Sequence, residues 1–152
     1  MARTKNPQKP VKLGDFLCFA VYSANLAFGR AYRPILDELG LTYTQYVTLV
    51  ALSEEDEQTV GDLGNKLFLE SNTLTPILKK LEQLGLVGRR RDPADERQVR
   101  VNVTPAGRKL QQQVQGNAHE LIEAAGLGDD FAKVQQSVAK LRDNLLLATK
   151  NS

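Results

Sequence analysis

The sequence predicts a mainly α-helical fold that contains one short β hairpin. Apolar residues recur every three or four positions through most of the chain, which is typical of amphipathic helices. One stretch, residues 99–103, instead alternates valine with polar residues, which is typical of a strand. With 152 residues, of which 41% are hydrophobic and 25% charged, the chain is long enough for one soluble domain with a substantial core.

Two residue counts exclude several kinds of site. Cys18 is the only cysteine, so no disulfide can form within the chain. With His119 as the only histidine, the two residues cannot supply the three or four such ligands of a zinc site. We therefore expect no metal and no cofactor. Because the basic start lacks the apolar stretch of a secretion signal and no long apolar run follows, we expect a cytoplasmic protein without membrane contact.

The net charge of +2 is unevenly distributed. Residues 1–12 carry four Lys or Arg and no acidic residue, and we expect them to form a flexible basic arm. Residues 79–109 carry nine Lys or Arg against four Asp or Glu, whereas the rest of the chain is acidic overall. Such a basic stretch favours binding to a phosphate backbone, although a solvated charged face gives the same pattern.

The first two helices are predicted from apolar periodicity and their boundary residues. The first covers about residues 15–32, with Asp15 as a candidate N-cap, and Pro34 is expected to interrupt or redirect the chain. Thr42 or Thr44 is the candidate N-cap of the second. This helix is expected to lie in the core because its apolar residues are Tyr46, Val47, Leu49, Val50 and Leu52.

Residues 59–84 are predicted to form two helices around a tight turn. Thr59 can cap the first. Because proline is tolerated in the first turn of a helix, Pro76 places the start of the second helix at Ser71 to Thr73, and Gly85 supplies its stop. The residues expected to face inward are Val60, Leu63 and Leu67 in the first helix and Leu74, Ile77, Leu78, Leu81 and Leu84 in the second.

The start of this second helix is polar. A helix-turn-helix places such side chains against base edges and phosphates, whereas an ordinary helical hairpin with a capped start has the same pattern. The candidate DNA-contacting residues of the helix are Ser71, Asn72, Thr73, Thr75, Lys79 and Lys80.

A hairpin with a charged tip is predicted directly after this helix. Leu86 and Val87 lead into three arginines, the turn falls in "DPADE", and residues 99–103 form the returning strand. An arginine-rich two-stranded wing can place its tip in the minor groove of DNA. Arg89, Arg91 and Arg97 are the candidate contacts. The combination predicts a winged helix-turn-helix over about residues 44–104.

The remainder is predicted to be helical. Thr104 can cap a helix that begins at Pro105, and "GLGDD" separates it from a final helix. The final helix has a coiled-coil-like seam, which fits either an intrachain core stripe or dimerisation. Its members are Phe131, Val134, Val138, Leu141 and Leu145. We expect a single domain over residues 13–152, with dimerisation helices at about 13–40 and 105–149.

The order of these elements resembles the MarR family of winged-helix regulators. The family's wing pattern, Asp-x-Arg followed by a strand and Thr-x-x-Gly, is matched by Asp95, Arg97, Thr104 and Gly107. More narrowly, "LCFAVY", "LTYTQY" and "TLTPILKKLEQLGL" resemble the organic hydroperoxide sensing branch, OhrR, within a resemblance that spans about residues 13–149. The resemblance implies a homodimeric transcriptional repressor that binds a double-stranded DNA operator.

In that branch an N-terminal cysteine senses the peroxide and is linked to tyrosines at the dimer interface. The resemblance therefore places the sensor at Cys18 and the tyrosines at Tyr22, Tyr32 and Tyr43, with an organic hydroperoxide as the effector. Because no second cysteine is present, the sulfenic acid formed on oxidation is expected to be capped by a small cellular thiol, to close on a backbone nitrogen, or to overoxidise. A bulky or charged adduct on this interface helix is expected to disturb the tyrosines and release DNA.

The residues alone leave Cys18 open between a sensor and inert core filler. At about 100° per residue, Tyr22 and Tyr32 each fall about 40° from Cys18 around a regular helix, so the three share one face. If Asp15 is the N-cap, the free N–H groups and the dipole of the first turn favour the thiolate, and the apolar neighbours oppose it by desolvation. Two other functions stay open: a repressor released by a phenolic ligand, and a thiol peroxidase that uses Cys18 in catalysis.

Overall fold

A computed structural model describes residues 10–150, so most of the basic arm predicted for residues 1–12 lies outside the described residues. The helices and strands are α1 (Leu17–Glu38), α2 (Tyr43–Glu54), β1 (Gln58–Thr59), α3 (Val60–Leu67), α4 (Ser71–Gln83), β2 (Val87–Arg91), β3 (Val99–Val103), α5 (Pro105–Ala124) and α6 (Phe131–Lys150). The chain divides into two compact units, and the boundary falls within α5, after Asn117. Between residues 10 and 150 no helix combines the length and the apolar character needed to span a bilayer.

Helix α1 differs from its prediction at both ends. Phe16 is the N-cap residue and contributes no side-chain capping bond, whereas Asp15 lies in a preceding 3-10 turn, so the prediction that Asp15 caps the helix is wrong. The helix also continues through Pro34 to Glu38, where an interruption was expected. Proline lacks an N–H, so the carbonyl of Arg30 loses its usual helical partner. Because Pro34 is exposed, that part of the helix is accessible to water.

Helix α2 begins at one of its two candidate caps. The hydroxyl of Thr42 accepts a hydrogen bond from the N–H of Gln45 at 3.2 Å, and the Gln45 side chain accepts one from the N–H of Thr42 at 3.0 Å. This reciprocal pair is a capping box, and it confirms Thr42 over Thr44. Leu49 and Leu52 are fully buried, which confirms the core position of α2.

The two helices predicted for residues 59–84 are present as α3 and α4. Thr59 caps α3 by accepting from the N–H of Asp62 at 3.1 Å, and α4 begins at Ser71 as predicted. Pro76, however, is the sixth residue of the helix and lies beyond its first turn, so the expected first-turn position of this proline is wrong. Gly85 has the left-handed φ of 72° expected of a helix stop. Leu84 is not buried as expected but 44% exposed, since it lies at the helix end.

The predicted hairpin is present as β2 and β3, but it belongs to a larger sheet. Strand β1, which was not predicted, pairs with β3 and gives an antiparallel sheet in the order β1-β3-β2. The core of the first unit lies between this sheet and the helices. Its fully buried apolar side chains are Leu49, Leu52, Leu63, Leu74, Leu78, Leu81, Val101 and Val114.

Helix α5 is attached to the end of the hairpin through Thr104. The Thr104 hydroxyl accepts from the N–H of Gly107 at 3.1 Å, which confirms the predicted cap, and donates to the carbonyl of Gly85 at 2.7 Å. A Cβ atom at Gly107 would overlap the carbonyl oxygen of Leu86. Glycine is therefore required at this place by the close approach of α5 to the chain that leads into β2.

Helix α6, in the second unit, carries the predicted apolar seam. Leu141 is half-buried, and the other four seam residues are exposed within one chain. The seam therefore does not act as a fully buried stripe inside a single chain. These four residues are Phe131, Val134, Val138 and Leu145.

Candidate DNA-binding and redox sites

The polar face of α4 lies opposite its buried stripe. Leu74, Leu78 and Leu81 are fully buried, which fixes the rotation of the helix. At about 100° per residue, Asn72 lies about 30° and Lys79 about 50° from the centre of the opposite, exposed face. The predicted DNA-contacting residues of α4 are all exposed, namely Ser71, Asn72, Thr73, Thr75, Lys79 and Lys80. The hydroxyl of Thr75 donates to the carbonyl of Ser71 at 2.7 Å.

A surface cleft joins the start of α4 to the wing, by which we mean the β2–β3 hairpin, residues 87–103. The cleft brings two predicted contacts of α4 beside one of the wing, although they are far apart in the sequence. Its lining includes Thr59, Gly61, Ser71, Thr75, Arg97 and Val99. Polar groups from the first turns of α3 and α4 thus converge with one arginine on a concave surface.

Arg97 occupies the exposed tip of the wing. Its side chain is 91% exposed, and the Asp95 carboxylate accepts from both the backbone N–H and Nε of Arg97, each at 3.1 Å. The pairing with Asp95 therefore orients the arginine without burying it. An exposed guanidinium held in this way is free to approach a phosphate or the minor groove.

Arg89 and Arg91, the other predicted wing contacts, differ in their surroundings. Arg89 forms two hydrogen bonds with the carboxylate of Glu82 on α4, from Nε at 3.2 Å and from Nη2 at 3.0 Å. These hydrogen bonds from Arg89 hold the pKa of Glu82 below its usual range. Arg91 is exposed. Arg89 thus links the wing to α4, a contact for which sequence analysis gave no signal.

Cys18 is the second residue of α1 and lies in its first turn, although the N-cap residue is Phe16 and not Asp15 as that expectation assumed. It is a free, exposed thiol. The residue that precedes the helix contributes no side-chain capping bond, so the first-turn N–H groups near Cys18 have no side-chain cap. Tyr22, one turn on, is 59% exposed and its ring packs against Phe19 with centroids 6.3 Å apart.

The other two predicted tyrosines are part of an aromatic cluster. The rings of Tyr32 and Tyr43 have centroids 5.2 Å apart, and Tyr46 packs against both, at 6.1 and 6.4 Å. Sequence analysis assigned Tyr46 to the core alone. The pKa of Tyr32 and that of Tyr46 are raised mainly by burial and, to a smaller extent, by the neighbouring phenols. Both phenols therefore stay protonated, and able to donate hydrogen bonds, through the physiological pH range.

The shared helical face does not bring Cys18 and Tyr32 together within one chain. They are fourteen residues apart on α1. At about 1.5 Å per residue, this separates them by about 21 Å along the helix axis. The Cys18 thiol therefore does not contact the tyrosine cluster of its own chain.

The described residues do not supply the ligand set of a metal site. Between residues 10 and 150, no three His, Cys, Asp or Glu side chains are grouped so that they could hold a metal ion.

Comparison with known proteins identifies the family. The family profile described as "Transcriptional regulator SarA/Rot" matches residues 30–114. The chain is 36% identical over 138 residues to the organic hydroperoxide resistance transcriptional regulator of Bacillus subtilis, covering 89% of this chain and 92% of that protein. The chain belongs to the MarR-type winged-helix transcriptional regulators. This regulator is also 44% identical over 137 residues to the HTH-type transcriptional regulator TtmR of Methylorubrum extorquens, covering 90% of this chain and 70% of TtmR.

A solved structure confirms the winged-helix fold of this MarR-type regulator. AbfR is a protein of Staphylococcus epidermidis. The structure of reduced AbfR bound to DNA matches this chain with a TM-score of 0.76 and 35% sequence identity, over 88% of this chain and 94% of AbfR. AbfR has also been crystallised overoxidised and bound to DNA, and in a disulfide form. The resemblance to the MarR family drawn from the wing and helix motifs is thereby confirmed.

Proposed function

We propose that this MarR-type regulator is a homodimeric repressor that releases its operator when an organic hydroperoxide oxidises Cys18. The observation that carries the proposal is the exposed thiol in the first turn of α1, on a helix that carries several exposed apolar side chains. The relationship to a Bacillus subtilis regulator of organic hydroperoxide resistance supports the same effector.

DNA contact is assigned to α4 and the wing. The exposed polar face of α4 suits the major groove, and Arg97 at the wing tip suits the adjacent minor groove. The cleft between them places Ser71 and Thr75 close to Arg97, so one stretch of duplex can meet both elements. The DNA-bound form of AbfR supports DNA as the partner of this fold.

Dimerisation is assigned to the exposed apolar surfaces of α1 and α6. Large apolar side chains rarely remain in water over a whole helical face unless a partner covers them. A second copy is the natural partner, because two recognition helices related by a two-fold axis read two half-sites. The exposed apolar residues of α1 and α6 include Leu17, Val21, Leu26, Phe28, Val134, Val138 and Leu145.

A dimer also completes the sensor site. Since Cys18 cannot reach Tyr32 and Tyr43 of its own chain, the phenols that hydrogen-bond its thiolate come from the other copy. Tyr22, one turn from Cys18, is the phenol that the same chain supplies. Phenolic O–H groups favour the thiolate by donating to its sulfur. The residues that sense the hydroperoxide thus lie in the dimer interface.

The sensing reaction oxidises the sulfur by two electrons. The Cys18 thiolate attacks the terminal oxygen of the hydroperoxide, the O–O bond breaks, and an S–OH bond forms as the alkoxide leaves and takes up a proton to become an alcohol. A small cellular thiol then attacks the sulfenic sulfur and releases water, which leaves a mixed disulfide. With no second cysteine in the chain, an internal disulfide cannot form.

Release of DNA follows from the bulk of this adduct. A mixed disulfide on a packed interface helix displaces the tyrosines and changes the separation of the two recognition helices, which is a two-state switch driven by modification. The overoxidised form of AbfR was crystallised with DNA bound. That result supports the bulky adduct, rather than added oxygen alone, as the releasing form.

The proposal is tested by fluorescence anisotropy with a duplex that the wild-type protein selects from a random-sequence pool. We expect reduced protein to bind it, and organic hydroperoxide together with a small thiol to release it. Intact mass measured on the same sample should show the thiol adduct. Binding that persists while the adduct is stoichiometric would exclude this switch.

A second candidate is a repressor that releases DNA when it binds a phenolic ligand. The ring cluster of buried Tyr46, half-buried Tyr32 and exposed Tyr43 favours it, because aromatic faces bind aromatic ligands. This candidate would be supported if a small aromatic acid releases the reduced protein from DNA in a saturable manner and does so equally for Cys18→Ser.

The thiol peroxidase alternative predicts repeated turnover of hydroperoxide, and it is disfavoured because the family consists of transcription regulators.

A further inference from the structure

Two arginines face each other across the wing. In the register of β2 and β3, Arg90 is the direct partner of Arg100. Like charges in directly opposed positions destabilise an antiparallel pair. Because side chains alternate along a strand, this pair lies on the opposite face of the hairpin from the buried Val101 and Val103. Neither arginine was a predicted DNA contact, and their opposition calls for a compensating charge.

Glu57 supplies this compensation from outside the hairpin. Its carboxylate accepts hydrogen bonds from Nε of Arg90, at 3.1 Å, and from Nη2 of Arg90, while its backbone carbonyl accepts from Nη1 of Arg100 at 2.8 Å. Asp92, which is buried, accepts from Nε of Arg100 at 2.7 Å. One residue thus holds both opposed arginines through different atoms.

The backbone of Glu57 is adapted to this double contact. Its φ is 56°, in the left-handed region that residues other than glycine rarely adopt. The next residue, Gln58, is fixed in β1, where its side chain donates to the carbonyls of Ala51 and Glu55 at 2.7 and 2.8 Å. Glu57 is therefore anchored to α2 and to β1, and through its arginines it anchors the wing.

We propose that Glu57 is a positioning residue for DNA binding, which fixes the direction of the wing so that Arg97 reaches the duplex. In this arrangement Arg90 and Arg100 are structural residues and contact no phosphate. The inference rests on the proposed DNA-binding function. It assigns a role in binding to an acidic residue, although a negative charge close to DNA is expected to repel it.

The two roles of Glu57, repulsion of DNA by its charge and positioning of the wing, predict opposite effects of removing that charge, and this difference can be tested. Glu57→Gln and Glu55→Gln remove the same charge two positions apart. Glu55 is a matched control because it is exposed and, among residues 10–150, its carboxylate forms one ion pair, with Lys66 at 3.7 Å. Lys66 keeps a second partner in Glu54, and the Glu55 carbonyl that accepts from Gln58 is unchanged in Glu55→Gln. If only charge matters, both variants bind the selected duplex more tightly than wild type. If Glu57 positions the wing, Glu57→Gln weakens binding by about tenfold, the size of one lost arginine contact, while Glu55→Gln does not weaken it.

The path through Arg97 is tested by combining substitutions. Arg97→Ala alone should weaken binding, and Glu57→Gln combined with Arg97→Ala should be no weaker than Arg97→Ala, because the contact is already absent. A purely structural role for Glu57 predicts additive losses instead. Additive losses, or equal tightening in Glu57→Gln and Glu55→Gln, would overturn the inference.

Two further measurements separate this inference from folding and from the proposed function. Glu57→Asp keeps the charge but shortens the reach to Arg90, so weaker binding at an unchanged unfolding temperature supports positioning, and unchanged binding contradicts it. Circular dichroism of each variant gives the unfolding temperature. If wild type selects no duplex, the proposed function fails. If wild type binds and Arg97→Ala weakens binding but Glu57→Gln and Glu57→Asp do not, the positioning role alone fails.

Discussion

The Glu82 carboxylate and the Arg89 guanidinium form a two-bond ion pair that joins α4 to β2, with N–O distances of 3.0 and 3.2 Å. The two residues are only seven positions apart, yet they belong to different elements, because Gly85 turns the chain back after α4. An arginine predicted from the sequence to contact DNA thus connects α4 to the wing. Its loss is expected to loosen the relation between the two elements that are proposed to contact DNA.

The Glu82–Arg89 pair predicts a pH-dependent contribution to stability. Arg89 lowers the pKa of Glu82 below its ordinary value of 4.5 in the folded protein. The pair therefore stabilises the fold fully above about pH 4.5, and this contribution is lost as the pH falls through the lower, folded-state pKa. We expect Glu82→Gln to unfold at a lower temperature than wild type at pH 7, with a difference that shrinks below pH 4.5. Thermal unfolding followed by circular dichroism from pH 7 to pH 3 measures it, and a difference independent of pH would contradict it.

Arg97 predicts a loss of DNA affinity without a loss of stability. Its side chain is 91% exposed, so Arg97→Ala should leave the unfolding temperature and the dimer unchanged. Binding to the selected duplex should weaken, and the dependence of log K on log salt should become shallower by about one unit if a phosphate contact is lost. The exposed Lys140 on α6 provides a control that removes the same charge far along the sequence from the wing. Equal effects of Arg97→Ala and Lys140→Ala would show that only net charge matters.

Helix boundaries could be predicted where their signals are local. Three helices are capped by a threonine whose hydroxyl accepts a hydrogen bond from the N–H three residues further on, namely Thr42, Thr59 and Thr104. Each cap therefore depends on a few consecutive residues and can be recognised in the sequence. Gly85 stops α4 for an equally local reason, its left-handed φ. Pro34 was misjudged because tertiary contacts of the surrounding helix outweigh one lost hydrogen bond.

The features that were missed depend on residues distant in sequence. Strand β1 consists of Gln58 and Thr59, too short to show alternation, and it exists because β3 offers it a partner. Tyr46 joins Tyr32 only when α2 packs beside α1. Glu57 meets Arg90 and Arg100 across more than thirty positions. No local pattern in a single sequence encodes such pairs.

The apolar seam of α6 predicts a dimer that one charge disrupts. Val138 is 45% exposed in the single chain, and a glutamate there would have to lose its hydration on burial in an interface. We expect Val138→Glu to shift the protein toward monomer in analytical ultracentrifugation and to weaken binding to the selected duplex at low protein concentration. Gln136→Glu adds the same charge about 160° away around α6 and should do neither. A Val138→Glu protein that stays dimeric would remove α6 from the interface.

The sensor predicts that Cys18→Ser separates DNA binding from peroxide response. Serine keeps the size and a hydrogen-bonding group but removes the nucleophilic sulfur. The variant should bind the selected duplex like reduced wild type and stay bound after organic hydroperoxide is added with a small thiol. Release of Cys18→Ser at the same dose as wild type would leave Cys18 as a packing residue and favour the phenolic-ligand repressor.

Tyr32→Phe tests whether a phenol of the other copy assists the oxidation of Cys18. The substitution deletes one hydroxyl and keeps the ring that packs against Tyr43 and Tyr46, so dimer and reduced DNA binding should change little. If that hydroxyl donates to the thiolate, its loss should slow formation of the adduct, which intact mass measures, and should slow release of DNA by the same factor.

A heterodimer decides which chain supplies the phenol, because Cys18 and Tyr32 of one chain are about 21 Å apart along α1. In this heterodimer one chain carries Cys18→Ser and the other carries Tyr32→Phe. Its single thiol then faces an intact Tyr32 only if the contact is between copies, so oxidation at wild-type speed supports the contact between copies and slow oxidation excludes it.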